Sequence, residues 1–191
     1  MNEQPPASAY TQATAYAPME AAVADLVEAL PEFPGFERRV WAKTPCSRGG
    51  VDDPRYTNVE IEYRFSKEDS QTAKVREQYI DALREHWLGL GLRIVADRPL
   101  ESRDRTDHDL VAYRPEDGVK LWYSVAFYAS VRVRSGCVPV SDLSEIEYVP
   151  PTGGILPGGR RDLVSSYFPD GIPEQEAVNP FASPDDFEDQ L

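Results

Sequence analysis

From 119 to 138 the sequence reads VKLWYSVAFYASVRVRSGCV, and no other stretch restricts the fold as strongly. Val119, Leu121, Tyr123 and Val125 alternate with Lys120, Trp122 and Ser124, and Val131 and Val133 then alternate with Arg132 and Arg134. Period-two alternation of β-branched and aromatic residues with polar ones describes strands that bury one face. The run exceeds a usual strand of about 5–6 residues. It is therefore either one long bent strand or two strands with a tight turn near Ala126 to Tyr128, and its length favours two. Just upstream, the apolar run 109–113 and the turn residues Pro115-Glu116-Asp117-Gly118 predict a hairpin that pairs 108–114 with 119–125.

The remaining elements are read as packing on this hairpin. Residues 1–16, rich in Ala, Pro, Gln, Ser and Thr, have linker composition. Pro18 suits the first turn of a helix, with Met19, Val23, Leu26, Val27 and Leu30 on one face. A strand is predicted over 36–43, a loop carrying Cys46 over 44–54, and a strand over 57–65, where Val59, Ile61, Tyr63 and Phe65 alternate with Asn58, Glu60, Glu62 and Arg64. Ser66 suits an N-cap for a helix to about Leu88 with the stripe Val75, Tyr79, Ile80, Leu83 and Trp87, closed by Gly89 or Gly91. A strand over 92–96 and a charged loop over 97–107 complete the series. This pattern predicts an α+β fold, an antiparallel sheet of about five strands with two helices packed on one face. Residues 17–149 form the single domain. Disordered tails are expected at 1–16 and over the Pro/Gly-rich acidic stretch 150–191, with 163–168 as a docked turn.

The formal charge of −13 is uneven: residues 1–30 carry −4 and 150–191 carry −6, so the domain between them is near neutral. Such a balance speaks against a nucleic-acid surface, which needs a basic patch. No apolar run is long enough to span a bilayer, and the first thirty residues lack the basic start and apolar block of a signal peptide.

Cys46 and Cys137 are the two cysteines, and each is expected just beyond a strand. If those strand ends meet, a disulfide forms, which implies an oxidising compartment. The alternative is two free thiols in a cytosolic protein. Neither has a second ligand at zinc spacing. Asp104, Asp107, His108 and Asp109 are the densest set of metal-ligand types, of the oxygen-rich kind that suits Ca²⁺ or Mg²⁺. Arg103 and Arg105 are interleaved with them, so a solvated charged loop is the expected reading. Trp41, Trp122 and Tyr128 are candidates for a ligand surface, with core packing as the competing reading. His86, near a helix C-terminus, is a candidate base without a visible nucleophile. The glycines at 153–154 and 158–159 lack the lysine and hydroxyl of a phosphate loop, and no cofactor is expected.

Three stretches carry a family resemblance: the Cys46 loop after Phe36-Glu37-Arg38-Arg39-Val40-Trp41, the Ser66 helix with its Gly89-Leu90-Gly91 exit, and Ser135-Gly136-Cys137-Val138-Pro139. Together they resemble the soluble domains of actinobacterial putative lipoproteins, in particular the mycobacterial LppA-like group. The stretch Pro150-Pro151-Thr152-Gly153-Gly154 is similar to Streptomyces members. The resemblance implies a cell-envelope location and a Cys46–Cys137 bridge, and it carries over no catalytic residues. The lipid-attachment cysteine and signal peptide of that family are missing here, so membrane contact is expected only through a lipid anchor that this sequence does not carry. The resulting expectation is a monomeric, non-enzymatic extracytoplasmic domain that binds a protein or small ligand. The alternatives are a cytoplasmic adaptor with acidic arms and an uncharacterised enzyme.

Overall fold

A computed structural model of the chain describes residues 9–48, 50–101 and 106–173. The elements follow the order α1 (Gln12–Ala29), β1 (Arg38–Arg48), β2 (Val51–Arg64), α2 (Tyr79–Gly89), β3 (Arg93–Glu101), β4 (Thr106–Tyr113), β5 (Lys120–Val125), β6 (Ala129–Pro139) and β7 (Asp162–Leu163). The fold is α+β, as expected. The sheet is larger than expected, seven strands in the order β3-β4-β5-β6-β2-β1-β7, and it is mixed, because β7 pairs with β1 in parallel.

The alternating segments form strands as predicted. In β2 the side chains from Thr57 onward alternate strictly between buried and half-buried. The 119–134 stretch resolves into two strands: β5 and β6 close a tight hairpin in which Ala126 N–H donates to the Tyr128 carbonyl at 3.1 Å. The predicted charged loop 97–107 is largely strand instead. β3 and β4 pair from Arg93↔Tyr113 to Glu101↔Thr106. Their charges are tolerated because they lie outside the core, while Leu110 and Ala112 fill the inward positions at 0% exposure.

Both helices and the 146–168 segment contribute to one core with the inward side of the sheet. The α1 helix starts six residues before Pro18. A reciprocal capping box sets its start: Thr11 Oγ1 accepts from Thr14 N–H at 3.3 Å, and Thr14 Oγ1 accepts from Thr11 N–H at 2.9 Å. Pro18 thus sits inside the helix, at a cost of about 3 kcal/mol. Burial of Gln12, Ala15 and Tyr16 ahead of it offsets that cost. Residues 12–16 are therefore helix, which corrects the expectation of a linker over 1–16; residues 1–8 lie outside the described residues. The Ser66 segment is not one helix but a 3₁₀ turn (Asp69–Gln71), a π turn (Lys74–Gln78) and α2. The predicted stripe still faces inward throughout, with Trp87 1% exposed, and Gly91 closes α2 at φ +77°. Among the described residues no helix is long and apolar enough to cross a membrane.

The expected docked turn at 163–168 is present, and the expectation of disorder over the rest of the described stretch from 150 is corrected. Ile155, Val164 and Tyr167 are buried, and the segment packs on α1 and β1 as far as Ile172. The remainder of the expected tail, 174–191, lies outside the described residues. One contact in this segment is intolerant of change. Phe36 N–H donates to the Gly153 carbonyl at 2.8 Å, Gly153 has φ +68°, and a Cβ there would collide with the Phe36 ring. Gly153→Ala is expected to destabilise by about 1–3 kcal/mol through overpacking plus left-handed strain. Gly154→Ala, with φ +86° and open space around it, carries the strain alone. Chemical denaturation of the two variants checks this, and equal losses would contradict the packing argument.

Cys46 and Cys137 form a disulfide, with Cα atoms 5.8 Å apart. Both lie within strands rather than in loops after them, and β1 and β6 are not neighbours, because β2 runs between them. Strands two apart ordinarily stand about 9–10 Å from each other. The shorter approach is reached where both ladders of β2 slip, between Pro45 and Cys46 on β1 and between Asn58 and Glu60 on β2. Asn58 Nδ2 donates to Cys46 Sγ at 3.2 Å beneath the bridge.

Candidate functional site

Three places concentrate polar side chains, and they differ in what they are able to do. The first is buried. Arg39 has the same strand parity as Trp41 and therefore points inward, where it is 0% exposed. Its Nη1 donates to Glu20 Oε1 at 2.9 Å and to the Val149 carbonyl at 2.7 Å, and its Nε donates to Asp162 Oδ1 at 2.8 Å. Glu20 also accepts from Trp41 Nε1 at 2.6 Å and from Tyr63 OH at 2.7 Å, while Asp162 Oδ2 accepts from Tyr148 OH at 2.6 Å and Gly158 N–H at 2.9 Å. Burial pushes the Glu20 carboxyl up, opposed by Arg39, Trp41 and Tyr63. The cluster joins α1, β1 and the 146–168 segment, and its charges are spent on one another, with Arg39 Nη2 held 2.7 Å from Asp162 Oδ1 as an ion pair. It is a structural clamp with no room for a reactant.

The second place is a cleft of about 530 Å³ between α2, the π turn before it and the β3–β4 hairpin, lined by Arg76, Glu77, Ile80, Asp81, Arg84, Thr106 and His108. Arg76 donates to the carbonyls of Ala126 at 3.0 Å and Thr106 at 2.7 Å. Arg84 clasps Asp97, and His108 Nε2 lies 2.7 Å from Asp97 Oδ1. The Arg84 guanidinium, helped by His108, holds the Asp97 carboxyl down at about 2. The cleft walls are thus cross-braced by ion pairs.

The third place is the sheet face opposite the helices. Strand registers line up its side chains in three rows across six strands. The first row is Arg93, Tyr113, Lys120, Arg134, Glu60 and Ala42. The middle row is Ala96, Val111, Trp122, Arg132, Glu62 and Val40, and the third is Arg98, Asp109, Ser124, Ser130, Arg64 and Arg38. Ion pairs hold the arginines in place: Arg38–Glu62 at 3.6 Å, Arg132 at 3.7 Å from both Glu60 and Glu62, Arg134 against Glu60, and Arg64–Glu37 at 2.9 Å. Three cations lie over rings on this face, Arg134 over Trp122 at 5.3 Å, Arg64 over Tyr128 at 4.2 Å and Arg93 over Tyr113 at 5.2 Å.

The residues proposed from sequence separate on this map. Trp122 and Tyr128 are half-exposed on the open face. Trp41 is 3% exposed on the other side, stacked on Tyr16 with centroids 4.0 Å apart, and belongs to the core. Asp107, His108 and Asp109 do not converge. Asp107 lies 3.6 Å from Arg76, His108 binds Asp97, and Asp109 accepts from Ser124 Oγ at 2.8 Å. Asp104 lies outside the described residues, and among the described residues no cluster of His, Cys, Asp and Glu is arranged to hold a metal. His86 Nε2 lies 2.7 Å from Asp25 Oδ2 and ties α2 to α1. Sequence reasoning missed Glu20, Arg39 and Asp162. The available signal was a glutamate within the apolar stripe of α1 and an arginine sharing parity with Trp41.

Comparison with known proteins found no matching family model, no matching curated protein and no matching solved structure.

Proposed function

We propose that this chain is a non-enzymatic binding domain of the extracytoplasmic, cell-envelope type, and that the sheet face left uncovered by the helices of the described residues is the surface that takes up the partner. The observation that carries the reading is that face. Arginine, tryptophan and tyrosine are the residues that dominate binding energy at interfaces, and here ion pairs between β6, β2 and β1 position Arg38, Arg132 and Arg134, while Arg134, Arg64 and Arg93 lie over Trp122, Tyr128 and Tyr113. A surface already ordered before contact loses less side-chain freedom on binding. The Cys46–Cys137 bridge supports the location, since disulfides persist in oxidising compartments and are rare in reducing ones. The lipoprotein resemblance of the two cysteine segments agrees with it. The test is intact mass after alkylation of protein taken from its native host without reductant. No alkyl addition is expected; two additions on the folded protein would overturn the envelope location.

A further inference from the structure

The binding face described above, on which this inference rests, has a pattern that selects one kind of partner. Seven of its side chains are cationic, namely Lys120 and six arginines, against the three carboxylates Glu60, Glu62 and Asp109 in the rows and Glu37 beside Arg64, in a chain whose formal charge is −13. The cations are not spread evenly. Arg93, Lys120 and Arg134 stand in the first row and Arg98, Arg64 and Arg38 in the third. Between them the middle row offers Ala96, Val111, Trp122 and Val40, together with the mutually neutralised Arg132 and Glu62. Val111 is 7% exposed yet stands outside the main core, so it forms the apolar floor of this row.

The outer rows are four residues apart along β1, β2, β4, β5 and β6, about 13 Å, and five apart on β3, where the ladder slips between Ile94 and Ala96. That separation matches the roughly 10–12 Å width of an α-helix with its side chains. Across six strands the rows extend about 24 Å, the length of a helix of about 16 residues. We propose that the helix-free face seats an acidic amphipathic helix of a partner protein, its apolar stripe on the Val111–Trp122 row and its carboxylates on the two cationic rows. Such a helix would cover the sheet as α1 and α2 cover its other side. A nucleic-acid or other polyanion backbone fits less well, because it has nothing apolar to lay on the Val111–Trp122 row.

The intact chain carries its own probe. Of its three tryptophans, Trp41 and Trp87 are buried, so a change in emission on binding reports on Trp122. The ligand is a synthetic helical peptide of about 16 residues with leucines at i, i+3, i+4 and i+7 and glutamates on both flanks, compared with a twin in which lysine replaces every glutamate. The glutamate peptide is expected to blue-shift Trp122 saturably, the lysine twin to fail, and the double variant K120E/R98E to weaken binding roughly tenfold or more. Both substituted side chains are exposed and one lies in each outer row, so the fold is retained. Equal affinity for the two peptides would overturn the acidic-helix proposal while leaving a binding face. Silence of Trp122 toward both peptides, with no shift from a DNA oligonucleotide or heparin, would overturn the face itself. A tighter response to either polyanion than to the peptide would replace the helix with a polyanion.

Discussion

Arg39→Ala is expected to cost about 3–5 kcal/mol of folding stability, at the upper end of what breaking a buried ion pair costs. The reason lies in what remains. Glu20 and Asp162 are each 4% exposed, and without the guanidinium two carboxylates stay in a nearly dry site with only neutral donors beside them. The loss should depend on pH with a definite sign. Burial already pushes Glu20 up, and removing Arg39 removes the main opposing influence. An acid whose folded pKa lies above its unfolded value of about 4.3 contributes its full stability only below that value, and loses it as pH rises through the folded pKa. The deficit of the variant is therefore expected to be smaller near pH 4 than near pH 7. Urea denaturation at both pH values measures this. A triple variant, Arg39→Met with Glu20→Gln and Asp162→Asn, should recover much of the loss, because it removes the charges together. A cost below about 1 kcal/mol for Arg39→Ala, flat with pH, would show the site to be hydrated and the clamp idle.

The second large effect concerns the bridge. Cys46 and Cys137 are 91 residues apart, and closing a loop of that size removes about 4–5 kcal/mol of chain entropy from the unfolded state. Reduction, or Cys46→Ser with Cys137→Ser, is expected to lower stability by about that amount, with an increase in the m-value as the unfolded chain expands. The local structure gives the loss a second component. Cys46 is 1% exposed, and Asn58 Nδ2 is directed at its sulfur. Denaturation with and without reductant decides the matter, and coincident transitions would show that the β1–β2–β6 crossing holds without the covalent link.

What was legible in the sequence and what was not divide along a physical line. The strands of 57–65 and 119–134 were legible because each buries one face, so period two appears in the residue types themselves. The α2 stripe was legible for the same reason at period 3.6, and it kept its facing even though the backbone passes through 3₁₀ and π turns. The start of α1 was missed because Pro18 is a strong local signal and Thr11–Thr14 a weak one. Tertiary burial of Tyr16 acts with the Thr11–Thr14 box and outweighs the proline. Most of the stretch from 150 was read as tail because its anchors are single residues that fall on no period, Ile155 among them, while the docked turn at 163–168 was legible and buries Val164 and Tyr167. The row pattern of the open sheet face was hidden more deeply. Its cations are interleaved with acids along the chain, and only the register of six strands gathers them, so a domain near neutral in sequence carries a basic side. The disulfide was expected at strand ends and is found across an intervening strand, because two slipped ladders draw β1 and β6 together.

The clamp also fixes the order in which this protein is able to mature. Arg39 is synthesised early, and its partner Asp162 follows 123 residues later. Until that residue arrives, the sheet cannot close over Arg39 without burying a cation that only Glu20 and backbone partners attend. Contacts of such long range reward the chain only after their loop-closure entropy has been met, which makes folding slow. The domain is thus expected to remain open while its C-terminal part is still being made, and to lock from its far end once the last anchoring segment emerges.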